Sequence, residues 1–111
     1  MDPAAARTRL EAMLVDLDRS IGVLSGEQIG LPDRSAADAG SDLTENARTA
    51  AMLQVAERQR KAVREALRRI GEGTYGACVD CRKEVPEGRL EARPEASRCV
   101  VCQSRLERAR R

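Results

Sequence analysis

The sequence predicts a mainly α fold: a long antiparallel two-helix coiled-coil hairpin, then a small cysteine-clamped finger and a short C-terminal helix. Three observations predict it. Leu10, Leu14, Leu17, Ile21 and Leu24 recur at steps of four, three, four and three. Thr49, Leu53, Ala56, Arg60, Val63, Leu67 and Ile70 continue the same alternation further along. Such spacing lays one narrow apolar seam along each helix. The apolar inventory is Ala, Leu, Val and Ile with three Met, no Phe, no Trp and Tyr75 as the only aromatic. That inventory suits helices packed along a seam and not a bulky globular core. Finally, all four cysteines fall in two C-x-x-C pairs, Cys78/Cys81 and Cys99/Cys102.

The first helix is expected over residues 3–25. Asp2 can cap it, and Pro3 suits the first helical position because its missing N–H is not needed there. Arg7, Arg9, Glu11, Asp16, Asp18 and Arg19 fall between the seam positions, on outer faces. Gly22 weakens the helix locally, by about 1 kcal/mol relative to Ala. Gly26 is expected to stop it.

Residues 26–41 carry three glycines, a proline and several small polar residues, with no period of 3.6. They read as a loop at the tip of the hairpin, and long loops in compact proteins tend to carry function. The second helix is expected over 42–71, with Ser41 and Asp42 as its N-cap signal and Glu45 in its first turn against the helix dipole. Arg60 is the one charged residue in its seam, and its long stem is expected to lie at the seam edge. Gly71 and Gly73 end the helix. At roughly 30 residues it would be about 45 Å long. Two single-seam helices joined by a loop fold back on each other as an antiparallel hairpin. Residues 1–72 therefore form the hairpin, and 73–111 a second part.

That second part holds the cysteines. The spacing C-x₂-C-x₁₇-C-x₂-C lies within the range read as a zinc site, and thiolates suit a borderline-soft metal in a tetrahedron. With four protein ligands there is no open position, so one structural Zn²⁺ is expected, held by Cys78, Cys81, Cys99 and Cys102. Two disulfides are the competing use. They suit a secreted chain, and no secretory signal is read here; a reducing, cytoplasmic setting is expected instead. A scaffold of this composition needs such a staple, and metal binding couples to folding. The tail from Val100 reads as a short helix with Val101 and Leu106 facing inward and Arg105, Arg108, Arg110 and Arg111 outward.

About a third of the residues are charged, and the formal net charge is +2. That balance gives no global electrostatic reason to bind nucleic acid, and the single aromatic offers little for base stacking. There is no histidine, no phosphate-cradling glycine loop and no open metal position, so no enzyme is expected. No apolar run approaches the roughly 20 residues of a membrane span.

Three segments carry a specific pattern: Gly73-Thr-Tyr-Gly-Ala-Cys78-Val-Asp-Cys81, Arg89-Leu-Glu-Ala-Arg-Pro94 and Cys99-Val-Val-Cys102. On these the sequence resembles the DksA/TraR-type C4 zinc-finger family of bacterial transcription regulators. The resemblance implies a soluble monomer that binds RNA polymerase and not specific DNA. It implies that the hairpin enters the polymerase secondary channel and modulates initiation through carboxylates at its tip. The family's tip motif is Asp, two residues, Asp, one residue, Ala. The matching stretch here places Ser35, Asp38 and Gly40 at those positions, with Asp33 and Asp42 nearby, so the tip diverges. In members that respond to ppGpp, the resemblance implies a cation set of one Lys on the second helix, the Arg of the Arg-Pro step and a Lys after the fourth cysteine. Here these are Ala62, Arg93 and Gln103, so ppGpp synergy is expected to be weak or absent. Arg82 follows the first knuckle where the family usually has Gly, which implies strain at a turn that favours positive φ. Arg89, Glu91 and Arg93 are expected either to pin the finger to the base of the hairpin or to contact a partner. Two other readings stand beside the regulator: an adaptor that keeps the fold without strong regulation, and a nucleic-acid-binding zinc module.

Overall fold

A computed structural model describes residues 1–29 and 39–110. They form four helices, α1 (Pro3–Ile29), α2 (Ala39–Glu72), α3 (Glu87–Ala92) and α4 (Val100–Ala109), in a mainly helical fold. The chain packs as two compact units, Met1–Leu14 with Lys61–Arg111, and Val15–Arg60. Among the described residues the only β pairing is a single antiparallel bridge, Ala77 to Glu84.

α1 starts as its sequence dictates. The Asp2 carboxylate accepts the N–H of Ala5 at 3.2 Å, and the Asp2 carbonyl accepts that of Ala6 at 2.9 Å. One orphan donor of the first turn is thereby satisfied. The helix does not stop at Gly26; it runs on to Ile29. Gly22 and Gly26 face open space, and neither adopts positive φ. A helical glycine costs only about 1 kcal/mol, which the continuing chain tolerates when no left-handed residue turns it aside. α2 likewise begins at Ala39, three residues before the expected 42. Of the expected loop at 26–41, residues 30–38 lie outside the described residues, and Asp33 and Asp38 with them.

The end of α2 is a Schellman motif. Gly73 has φ +78 and donates its N–H to the carbonyl of Ile70 at 3.2 Å, while Thr74 donates to the carbonyl of Arg69 at 2.9 Å. Those are the two bonds that satisfy the last carbonyls when a left-handed residue follows a helix. Gly71, also expected as a stop, is helical, and the helix reaches Glu72.

Burial follows the two seams. In the first unit Leu10 and Val63 are fully buried, joined by Ala6 and Ala66, which the seam pattern had not included. In Val15–Arg60 the two helices run antiparallel with Ile21 and Ala56 buried and Leu17, Leu24 and Leu53 half-buried. Arg60 lies at the seam edge and its guanidinium donates to Asp18 at 3.3 Å. Arg69 is buried too, with Nε and Nη2 lacking partners among the described residues, and burial lowers its pKa. In α4 the inward residues are Cys102 and half-buried Leu106; Val101, expected inside, is exposed. Val101 precedes Cys102 by one residue, so the two point about 100° apart on a helix of 3.6 residues per turn.

Candidate metal centre

The first cysteine pair sits on a knuckle built by backbone geometry. Gly76 has φ +92, and its carbonyl accepts the N–H of Val85 at 2.8 Å. The chain goes out through Ala77, turns over residues 79–82 and returns beside Glu84. Cys78 donates its N–H to Lys83 at 2.8 Å, and Arg82 donates to the Cys78 carbonyl at 3.0 Å. Closing that turn puts Arg82 at φ +69, the one described residue other than glycine with positive φ. The strain expected from the missing glycine is therefore located.

The second pair uses a helix start. Cys99 is the N-cap of α4 in extended conformation, and Cys102 lies in the first turn. Positions i and i+3 share one helix face, so both sulfurs point the same way. The N–H of Gln103 bonds the Cys99 carbonyl at 2.9 Å and fixes that turn.

Contacts beside the sulfurs hold the two halves together. Val79 donates its N–H to the Ser97 carbonyl at 2.9 Å. The Arg98 Nε donates to Asp80 Oδ2 at 2.7 Å, and Arg89 Nε donates to the Arg98 carbonyl at 2.8 Å. Asp80 and Arg98 each flank a cysteine, so their pair joins one turn to the other beside the metal ligands. Beneath them Cys78, Val85, Leu90 and Cys102 form a buried cluster, with Tyr75 and Ala96 packed against it. Tyr75 donates its hydroxyl to the Pro94 carbonyl at 2.9 Å, and burial raises its pKa.

The four sulfurs converge. All lie within 4.8 Å of one another, with Cys81 and Cys99 at 3.9 Å. A tetrahedron with Zn–S near 2.3 Å has edges of about 3.8 Å. A disulfide needs a sulfur separation near 2.05 Å, and all four cysteines are free. The residues therefore fit one structural Zn²⁺ held by Cys78, Cys81, Cys99 and Cys102, which closes the finger and leaves no coordination position for chemistry.

The electrostatics suit a thiolate metal. Burial opposes ionisation of Cys78, but N–H groups of Cys81, Cys99 and Asp80 directed at it prevail and bring its thiol down to about 6. N–H donation from Cys102 lowers Cys99. Cys102 is pushed up to about 12, first by its hydrogen bond to Cys99 and then by burial. The cluster thus shares protons unevenly, and a metal must displace them to bind.

The remaining sequence-singled residues separate. The Arg89 side chain holds the finger together through Arg98. The Glu91 main-chain carbonyl accepts Arg9 Nη1 at 2.6 Å, tying α3 to α1, while its carboxylate is exposed. Arg93 is exposed, and its side chain has no partner among the described residues. Gly40 and Asp42 lie within α2, and Asp33 and Asp38 lie outside the described residues. The Asp80–Arg98 and Tyr75–Pro94 contacts, absent from the sequence reading, join residues eighteen and nineteen apart.

Comparison with known proteins agrees with this geometry. The family described as prokaryotic dksA/traR C4-type zinc finger matches residues 73–108. The RNA polymerase-binding transcription factor DksA of Caulobacter vibrioides is 42% identical over 62 residues, 53% of this chain and 44% of that protein. General stress protein 16O of Bacillus subtilis is 32% identical over 82 residues, 74% of this chain and 50% of that protein. The chain thus spans about half the length of these curated relatives. The structure of transcription factor DksA2 from Pseudomonas aeruginosa matches with a TM-score of 0.84 at 25% identity, covering 97% of this chain and 84% of the other. Residues 73–108 thus form a finger of the prokaryotic dksA/traR C4 type, in a chain whose fold is similar to that of DksA2 over nearly its whole length.

Proposed function

We propose that this protein is a transcription regulator that binds RNA polymerase directly, inserting its hairpin into the secondary channel to modulate initiation. The observation that carries the reading is the finger at residues 73–108 in a chain whose fold matches DksA2 over 97% of its length. Relatives bearing the same finger are named RNA polymerase-binding transcription factors. The physical logic is one of delivery. α2, at 34 residues, is about 51 Å long, long enough to carry a few carboxylates from the rim of a pore toward its interior. A fixed charge acts most strongly where water is excluded and the site is organised around cations. Asp38, with Asp33 and Asp42 beside it, supplies that charge.

Arg93 is the one cation of the family's ppGpp set present here, and it stands exposed, without a side-chain partner among the described residues. Gln103, in place of the Lys, donates to Glu107 at 3.3 Å. One cation holds a polyphosphate far less well than three, so synergy with ppGpp is weak or absent. The protein acts as a cytoplasmic monomer, without catalysis and without sequence-specific DNA binding. A second reading, an adaptor that keeps the fold without strong regulation, is favoured by Ser35 and Gly40 at the tip motif. The near-balanced charge weighs against a nucleic-acid-binding zinc module.

Reconstitution with cognate polymerase tests these readings. Wild type is expected to bind without DNA and to change the lifetime of open promoter complexes. Asp38→Ala is expected to bind equally and lose most of that change. Absence of binding overturns the proposal; binding without a kinetic effect selects the adaptor. Strong ppGpp synergy that depends on Arg93 overturns the prediction for the alarmone.

A further inference from the structure

Three consecutive residues of the first cysteine turn each meet a residue of the second, and the interval in sequence is the same each time. Val79 donates its N–H to the Ser97 carbonyl at 2.9 Å. Asp80 Oδ2 accepts Arg98 Nε at 2.7 Å. Cys81 and Cys99 bring their sulfurs to 3.9 Å. The two turns therefore lie side by side in one register, joined by a backbone rung, an ionic rung and a sulfur rung. The sulfur rung is the open side of the metal centre. Cys78 and Cys102 are buried, whereas Cys99 is half-buried and Cys81 exposed. A competing ligand reaches the cluster from that side, and the ionic rung is the sequence neighbour of both its cysteines. Arg98 is held a second time, because its carbonyl accepts Arg89 Nε at 2.8 Å.

The two charges of the ionic rung are not equivalent. Four thiolates on one Zn²⁺ leave the centre about doubly negative. Asp80 lies between Cys78 and Cys81 in sequence, and its N–H is directed at the Cys78 sulfur. Its carboxylate thus adds a like charge beside the thiolates. Arg98 offsets that charge and is itself attracted by the sulfurs. Two further cations follow Cys81, but they do not replace it: Arg82 and Lys83 are exposed and have no side-chain partner among the described residues. The Arg98 side chain is 28% exposed, so water screens it less.

We infer that the Asp80–Arg98 pair is the gate on metal exchange at the Cys81–Cys99 side, and that Arg98 is the positioning residue that keeps it shut. Parting the two turns there requires the ionic rung to open. Removing Arg98 opens the rung and leaves the Asp80 carboxylate unneutralised beside the thiolates. Neutralising Asp80 weakens the rung but leaves Arg98 to attract the sulfurs. The two substitutions therefore act unequally, which a plain strut between the turns would not produce.

The rate of zinc release from the loaded full chain to a chromogenic chelator tests it, with zinc content and helical content measured on every variant. Arg98→Gln is expected to release zinc about tenfold faster or more, the range for groups that support metal ligands. Asp80→Asn is expected to stay within about twofold of wild type, because the Asn carbonyl still accepts from Arg98. The double variant is expected to return from the Arg98→Gln rate toward that of Asp80→Asn. Arg98→Lys keeps the charge without the fork and is expected to fall between wild type and Arg98→Gln. At about 1 M salt, where the screening length is about 3 Å, the gap between wild type and Arg98→Gln is expected to narrow. Wild-type release in Arg98→Gln overturns the gate. Equal acceleration in Arg98→Gln and Asp80→Asn, with no recovery in the double variant, reduces the pair to a strut and overturns the inference. Equal acceleration in Arg82→Ala assigns the effect to any nearby cation and overturns it as well. If Arg98→Gln takes up no zinc, the double variant decides: regained zinc upholds the inference, and continued failure overturns it.

Discussion

The unit that carries the finger and the unit Val15–Arg60 contain stretches of the same two helices, yet they are held by different means. In the first, Leu10, Val63 and Cys78 are fully buried and Leu90 and Val85 nearly so. Directional bonds are added to that burial: the Schellman pair at Gly73, the Val79–Ser97 bond, the Asp80–Arg98 pair and the four sulfurs. In the second, only Ile21 and Ala56 are buried among the described residues, at 8% and 7%, while Val15, Val23, Met52 and Val55 stand exposed. Directional bonds tolerate a poor apolar inventory because each fixes an angle as well as a distance. A seam alone gives area and little else, so the hairpin segment depends on helix continuity.

Metal removal should separate the two most widely. Structural zinc contributes apparent binding free energies of about 10–16 kcal/mol in finger peptides, most of it folding energy. Chelation, or Cys78→Ser, is expected to abolish amide protection over 73–108 while protection within Val15–Arg60 falls only modestly, as read by hydrogen exchange with mass spectrometry. Loss of protection throughout both regions at one chelator concentration would show a single cooperative body and break the comparison. The pH dependence has a definite sign. Zinc requires thiolates, so folded-state ligation holds the sulfurs ionised well below the ordinary thiol range. That stability is present at neutral and higher pH and is lost as pH falls and protons displace the metal. Release to a chelator is expected to accelerate steadily on acidification.

A smaller contrast lies within one helix. Leu10 and Leu24 occupy equivalent seam positions of α1, but Leu10 is fully buried and Leu24 only half-buried. Leu10→Ala leaves a cavity and is expected to cost about 2–5 kcal/mol. Leu24→Ala removes side-chain surface already partly in water, and a cost below about 1.5 kcal/mol is expected from lost burial. Urea unfolding of the two variants measures both. Equal costs would mean that the segment Val15–Arg60 is packed as firmly as the unit that carries the finger.

The same contrast decides what was legible in the sequence. Cysteine spacing exposed the metal centre because the chemistry needs those residues at that interval. The seams were legible because burial on one helix face imposes a period. Helix ends were not. Gly26 and Gly73 look alike in sequence, but only Gly73 takes positive φ and turns the chain; Gly26 is a solvent-facing helical residue. Ala6, Ala66 and Arg69 are buried yet were missed because they lie off the strict seam. The Asp80–Arg98 contact was illegible for a related reason: it joins two turns brought close by the finger fold, and no local period reports such a pair. The tip residues Asp33 and Asp38 were reached through family resemblance alone.

The smallest effect tests whether backbone geometry, and not side-chain contact, sets the finger. Arg82 holds φ +69, and its side chain is exposed without a partner among the described residues. A left-handed conformation costs an L-residue about 1–2 kcal/mol, and glycine avoids most of that. Glycine also loses more freedom on folding, which returns part of the gain. Arg82→Gly is therefore expected to stabilise the finger by about 1 kcal/mol or less, seen as a higher chelator concentration for half-release of zinc. Arg82→Ala keeps the strained Cβ and removes the charge, so it should release zinc as wild type does. If Ala and Gly act alike, the charge beside the metal matters and the turn does not. If Gly alone holds zinc more tightly, the knuckle is limited by one backbone angle in a unit otherwise fixed by directional bonds.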